Sequence, residues 1–213
     1  YNWQLNHSAQ SISDLPPLFQ KTLNKLSGTF FCTPYYLDLI SDSKNCPITG
    51  LLLSQQIVHQ TIDQSLFLHD DEFIKDLNEK NKTKNGLLEI YLPLLTVCPQ
   101  RITNQLIQSL KTNNTVIVHL NIQHTSECTP ELLTACSKMA DAGFILNNRM
   151  TFLKDINDSA AVVKELNLKL LMMRVRPYLI YLHDEKNTTS DFLKVSPSTG
   201  IQILDSLRGW TSG

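Results

Sequence analysis

Five cysteines, Cys32, Cys46, Cys98, Cys128 and Cys136, are the residues of this chain most able to hold a metal, a cluster or a disulfide. Thiolate ligation of zinc or iron–sulfur centres uses short spacings such as CxxC or CxxxC. No two of the five have such a spacing, and the tightest pair, Cys128 and Cys136, is eight apart. An odd, scattered set does not read as a secreted disulfide framework and favours a reducing compartment. The expectation is that these thiols are small packing residues.

The carboxylates, imidazoles and guanidiniums offer a second chemistry. Asp184 falls just past a strand expected over 178–182, at the strand end where α/β barrels carry their active sites. Asp158 is open to two readings, a ligand for a bound cation or an N-cap for the helix that follows. His183 reads as a loop residue. His119 and His124 flank a strand end, with no cysteine or carboxylate at metal spacing. Arg101 and Arg208 could meet an anion, but solvated ion pairs are the simpler reading. Tyr35, Tyr36, Tyr178 and Tyr181 read as packing residues with one wet end.

The elements that must position these groups follow from patterning. The 213 residues carry a formal net charge of -1, with 42% hydrophobic and 18% charged residues. That balance suits a globular protein and gives no basic surface for nucleic acid or anionic lipid. No stretch approaches the roughly 18 apolar residues of a membrane span, and no signal peptide is visible. The chain opens on Tyr1 rather than methionine, which points to a processed or trimmed sequence.

Residues 1–27 read as helical, Thr33-Pro34-Tyr35-Tyr36 as an extended or turn segment, and Asn45-Cys46-Pro47-Ile48 as the start of an irregular stretch. Residues 51–63 are ambiguous between helix and strand. A helix is expected over 70–80, then strand 88–92, helix 103–111 capped by Thr103, and strand 116–120. A helix over 129–142 has Pro130 first and Gly143 just past its end. Then come a strand near 144–153, a helix from Asn157 or Asp158 to Met173, strand 178–182 and a last helix, 198–208. Four strand–helix units in a row imply a parallel sheet with helices outside, either a barrel or an open α/β sheet.

Several strings, taken in order, resemble the lysine 2,3-aminomutase family of radical S-adenosylmethionine (SAM) enzymes. They are Trp3-Gln4-Leu5, Thr33-Pro34-Tyr35-Tyr36, Asn45-Cys46-Pro47-Ile48 and Pro99-Gln100-Arg101-Ile102-Thr103. Ala140-Asp141-Ala142-Gly143, Asn157-Asp158, Arg174-Val175-Arg176-Pro177-Tyr178 and Leu207-Arg208-Gly209 continue the match. The resemblance implies a partial (β/α) barrel of radical SAM type behind an N-terminal helical region, here 1–64 and 65–213. It implies three cofactors: a 4Fe-4S cluster on a CxxxCxxC loop, SAM, and pyridoxal phosphate (PLP). Together they move an amino group from carbon 2 to carbon 3, with the protein orienting them. It also implies that Asp158 and Asp184 occupy positions whose carboxylates pair with the substrate ammonium in the lysine-specific members.

The departures are as informative as the matches. Cys46-Pro47-Ile48 is followed within a few tens of residues by Leu66-Phe67-Leu68-His69-Asp70, leaving no room for the family's first two strands and its CxxxCxxC loop. Tyr91-Leu92-Pro93 stands where the family has "GSR", whose arginine helps bind the PLP phosphate. The family's Schiff-base lysine follows the "TSG" that here is Thr211-Ser212-Gly213. The expectation is therefore a degenerate, non-catalytic aminomutase-like protein, acting as a binding or assembly subunit without cofactors. The alternative is an active aminomutase whose sequence is incomplete here. Loss of two strands would leave strand 88–92 with a bare edge, for a partner protein or a second copy to cover. The location expected is the cytoplasm, or the mitochondrial matrix after loss of a transit peptide.

Overall fold

The computed structural model describes residues 3–4, 7, 9, 12–15, 20, 32–40, 46–53, 75, 87–111, 115–182 and 193–209. Four strands, β1 (Leu87–Tyr91), β2 (Thr115–Leu120), β3 (Ile145–Thr151) and β4 (Arg176–Tyr181), form one parallel sheet in chain order. Parallel neighbours joined by right-handed crossovers with no reversal of order keep every helix on one face, as in a barrel wall. The chain is thus α/β, and this wall is compatible with a partial barrel.

Helices occupy each crossover: α3 (Asn104–Leu110), α4 (Pro130–Asp141) and α5 (Ala160–Met172), with α6 (Pro197–Leu207) after β4. Thr103, Thr129, Ser159 and Ser196 cap them, each side chain accepting from a backbone N–H of the first turn. The cap of α5 is Ser159, not Asn157 or Asp158, because both precede the extended residue from which the helix turns. α4 and α5 end in paired backbone bonds that require a left-handed residue, Gly143 (φ 89°) after α4 and Arg174 (φ 62°) after α5.

Alternation along the strands sorts the two faces. Leu88, Ile90, Val116, Val118, Leu120, Leu146 and Met150 are buried in one core with Leu106, Leu132, Met139, Leu166, Leu170 and Ile203 of the helices. The alternate positions Glu89, Tyr91, Ile117, His119, Ile145, Asn147 and Arg149 lie on the opposite face.

The stretch 46–53 is more regular than expected. Of the extended and turn readings of Thr33-Pro34-Tyr35-Tyr36, the structure has a turn: Thr33 is extended, as a pre-proline residue should be, and caps the one-turn helix α1 (Pro34–Leu37). The stretch after Asn45 is likewise helical, as α2 (Pro47–Leu53). Ile48, Leu51 and Leu52 of α2 join Cys32, Tyr36 and Cys46 in a second core with Val97, Leu153, Ile156 and Leu193. Those four belong to the segments after β1, β3 and β4, so this region seats on the carboxyl edge of the sheet. The approach is close: a Cβ on Gly50 would stand 2.9 Å from Ile156. The helix expected over 70–80 lies outside the described residues except for Lys75. Among the described residues no helix is long and apolar enough to cross a membrane.

Candidate binding face

The sheet face away from the helices carries a cluster of aromatic and polar side chains from all four strands. Tyr91 of β1 and His119 of β2 are register partners, and their rings stack with centroids 4.8 Å apart. Tyr178 of β4 reaches His119 from the other side at 5.8 Å. It does so because the β3–β4 register slips: Asn148 faces Pro177 and Arg149 faces Leu179, leaving Tyr178 as the extra residue. A bulge of this kind re-aims one side chain. Arg149 lies over the rings of Tyr91, at 4.7 Å, and Tyr181, at 5.9 Å.

His119 is 4% exposed, and neither ring nitrogen has a hydrogen-bond partner among the described residues. Glu89 Oε2 stands 3.7 Å from its Nε2, an ion-pair distance but too long for a hydrogen bond. Burial lowers the His119 pKa, Arg149 lowers it further, and Glu89 opposes both without winning. The balance favours the neutral ring over the imidazolium. Asn147 Oδ1 and Arg149 Nε are also buried without a hydrogen bond among the described residues.

Three amide side chains brace the carboxyl edge beside this face. Asn148 Oδ1 accepts from Ile122 N at 2.8 Å, and its Nδ2 donates to Ile122 O at 2.9 Å. Gln123 Oε1 accepts from Thr151 N. Asn157, fully buried, accepts from Leu153 N at 2.7 Å and donates to the carbonyls of Gln123 and Thr151, both at 3.0 Å. The loop after β2 is thereby tied to β3.

Glu127 anchors the same loop to the N-terminal region. Its Oε2 accepts from the backbone N–H of Gln123 at 2.6 Å and of His124 at 3.1 Å, while Oε1 accepts from the Tyr36 hydroxyl at 3.1 Å. Complete burial outweighs these bonds and raises its pKa from 4.5 to about 7. Thr33 donates to Val97 O, and the Tyr35 hydroxyl meets Thr129 Oγ1.

Of the residues singled out by sequence, Asp158 lies half-buried in the segment after β3, between Asn157 and the Ser159 cap. Asp184 and His183 lie outside the described residues. Arg101 is buried, at 3% exposure, and is not the solvated residue expected, because the turn after β1 folds it inward. Arg208 is exposed and pairs with Asp205 at 3.3 Å. The cysteines are free, four of them buried and Cys128 half-buried. Burial pushes the Cys128 and Cys136 thiols up to about 12 and raises Cys32 and Cys98 as well. Among the described residues no three His, Cys, Asp or Glu side chains converge as a metal site. All five cysteines are among these described residues.

Arg149, Glu89, Asn147, Asn148, Gln123 and Glu127 were not marked by the sequence. Only the strand period could have found the first three, by putting Glu89, Asn147 and Arg149 on the face opposite the apolar residues.

No family model matches the chain. Curated relatives do. It is 44% identical over 117 residues to L-lysine 2,3-aminomutase of Fusobacterium nucleatum, covering 55% of this chain and 27% of that protein. It is 38% identical over 119 residues to glutamate 2,3-aminomutase of Clostridioides difficile, covering 56% and 28%. It is 32% identical over 174 residues to L-lysine 2,3-aminomutase of Haemophilus influenzae, covering 76% and 51%. The matched stretch thus spans between about a quarter and a half of these relatives. Identity of this extent, with collinear motifs on a parallel strand–helix wall, shows that the chain belongs to the lysine 2,3-aminomutase family.

Proposed function

We propose that this chain is a degenerate lysine 2,3-aminomutase-like protein that binds through the open face of its incomplete half-barrel and starts no radical reaction. The placement of its five cysteines carries the reading. Cluster iron is held by thiolates that converge from short spacings, whereas no two of these five cysteines have CxxC or CxxxC spacing and no three His, Cys, Asp or Glu side chains converge among the described residues. The short run from Cys46 to the Leu66–Asp70 string supports loss of the first two strands and the cluster loop. Neither a cluster, SAM nor PLP enters the proposed role. Asp158 and Asp184 remain as candidate ligands for a substrate-type ammonium.

Among the described residues β1 pairs only with β2. Its outer edge is where a partner protein or a second copy would add a strand. A second reading, an active aminomutase of which this sequence is a part, is favoured by the greater length of the matched relatives. Anaerobic incubation with iron and sulfide separates the two. The binding reading expects no brown chromophore bleached by dithionite, and no protein-bound PLP band on PLP titration. Either signal, at stoichiometric yield, overturns it.

A further inference from the structure

We propose that the N-terminal region is a releasable cap on the carboxyl edge of the sheet, latched by the hydrogen bond from Tyr36 to Glu127 and let go when Glu127 ionises. The wall of strands and helices stays folded in the released state. The device is independent of whether the chain is catalytic.

The cap is a separate unit of packing. The core that holds Ile48, Leu51 and Leu52 shares no residue with the core between the sheet and the helices. Its apolar footing on the wall is Val97, Leu153, Ile156 and Leu193, all in segments that follow strands. Thr33, Tyr35 and Tyr36 add hydrogen bonds to Val97 O, Thr129 and Glu127. A segment with its own small core can open while the larger core holds.

The latch is a carboxyl group taken out of water. Glu127 is 1% exposed, and its two oxygens divide between the units. Oε1 accepts from Tyr36 of the cap, and Oε2 from the backbone of Gln123 and His124 in the wall. No cation pairs with it among the described residues. A buried carboxylate without a counter-charge is costly, and opening the cap returns it to water. Burial raises the Glu127 pKa from 4.5 to about 7. The seated cap is therefore fully favoured below pH 4.5, and that preference is lost as pH rises through about 7.

The groups around Glu127 do not duplicate this response. Tyr35 and Tyr36 face it from the cap, with Cys32 and Cys46 beside Tyr36. Thr96 faces it from the turn after β1, and His124 and Cys128 from its own loop. Burial raises Tyr35, Tyr36, Cys32 and Cys128, so these stay protonated over the same range. Burial lowers His124, whose titration therefore acts with the opposite sign, favouring the folded state as pH rises. Release uncovers the strand ends at which barrel walls receive ligands, so the cap gates that edge.

The test is amide hydrogen exchange at about pH 5 and about pH 7.5, corrected for the intrinsic rate. Opening of residues 46–53 is expected to rise by about tenfold or more at the higher pH, with β2 and β3 unchanged. Glu127→Gln is expected to abolish the rise. Tyr36→Phe, which leaves the carboxyl group in place, should open the cap at about pH 5 and keep the rise. Three results overturn the proposal: equal opening of 46–53 at both pH values in the wild-type protein, a rise shared by β2 and β3, or a rise that persists in a folded Glu127→Gln variant. If that variant does not fold, a Tyr36→Phe cap as closed as the wild type at about pH 5 overturns it.

Discussion

The guanidinium carbon of Arg149, on β3, stands 4.7 Å from the centre of the Tyr91 ring, on β1, with the strand bearing His119 between them. Tyr91 is therefore at once the platform of the cation and one wall of the His119 site. Its replacement by alanine should lift part of the burial that lowers the His119 pKa. That pKa is expected to move up toward the ordinary 6.5, as read from the imidazole proton shift. Lost stacking and cation–π contact should also cost about 1 kcal/mol of stability.

Glu127 couples the loop after β2 to Tyr36, and its protonation should control how firmly the N-terminal region is seated. An acid raised from 4.5 to about 7 on folding favours the folded state when protonated. Its contribution is full below pH 4.5 and is lost as pH rises through about 7. The shift corresponds to on the order of 3 kcal/mol. Glu127→Gln should flatten the stability profile between those limits, because the amide stays neutral. Urea midpoints at unit pH intervals from 4 to 8 measure this, and an unchanged slope in the variant would contradict it.

Asn157 closes three backbone hydrogen bonds from a fully buried position. Asn157→Ala leaves one N–H and two carbonyls unpaired and should cost about 3 kcal/mol or more. Asn157→Asp keeps the acceptor for Leu153 N but turns a carboxylate toward two carbonyls. It should be worse at neutral than at acid pH. Chemical denaturation of the two variants reads both effects.

Ser159 and Asp158 are adjacent, yet only Ser159 caps α5. Ser159→Ala should cost about 1 kcal/mol, and Asp158→Ala should stay within about 0.5 kcal/mol. If Asp158 instead meets a ligand ammonium, its removal should show in the binding of a diamine such as cadaverine and not in the thermal midpoint. Comparable losses of stability in the two variants would refute this division.

What the sequence by itself determined is the local and periodic part. Thr103, Pro130 and Gly143 marked helix ends within a residue or so, because caps and left-handed stops act over one turn. The apolar runs of β1 and β2 marked a buried parallel sheet, and the ordered strings placed the chain in its family. Where short-range rules conflicted, the reading failed: Pro34 and Pro47 looked like breakers but open helices, since a first-turn position needs no N–H.

Only the tertiary structure decided the binding face. Glu89, His119, Asn147, Arg149 and Tyr178 are spread over 90 positions of chain and meet because β1 to β4 lie in register. No local pattern encodes a one-residue slip between Asn148 and Arg149, yet that slip brings Tyr178 onto His119. Burial of Glu127 and of the thiols is likewise a property of the packed core, since desolvation depends on what surrounds a group and not on its neighbours in sequence.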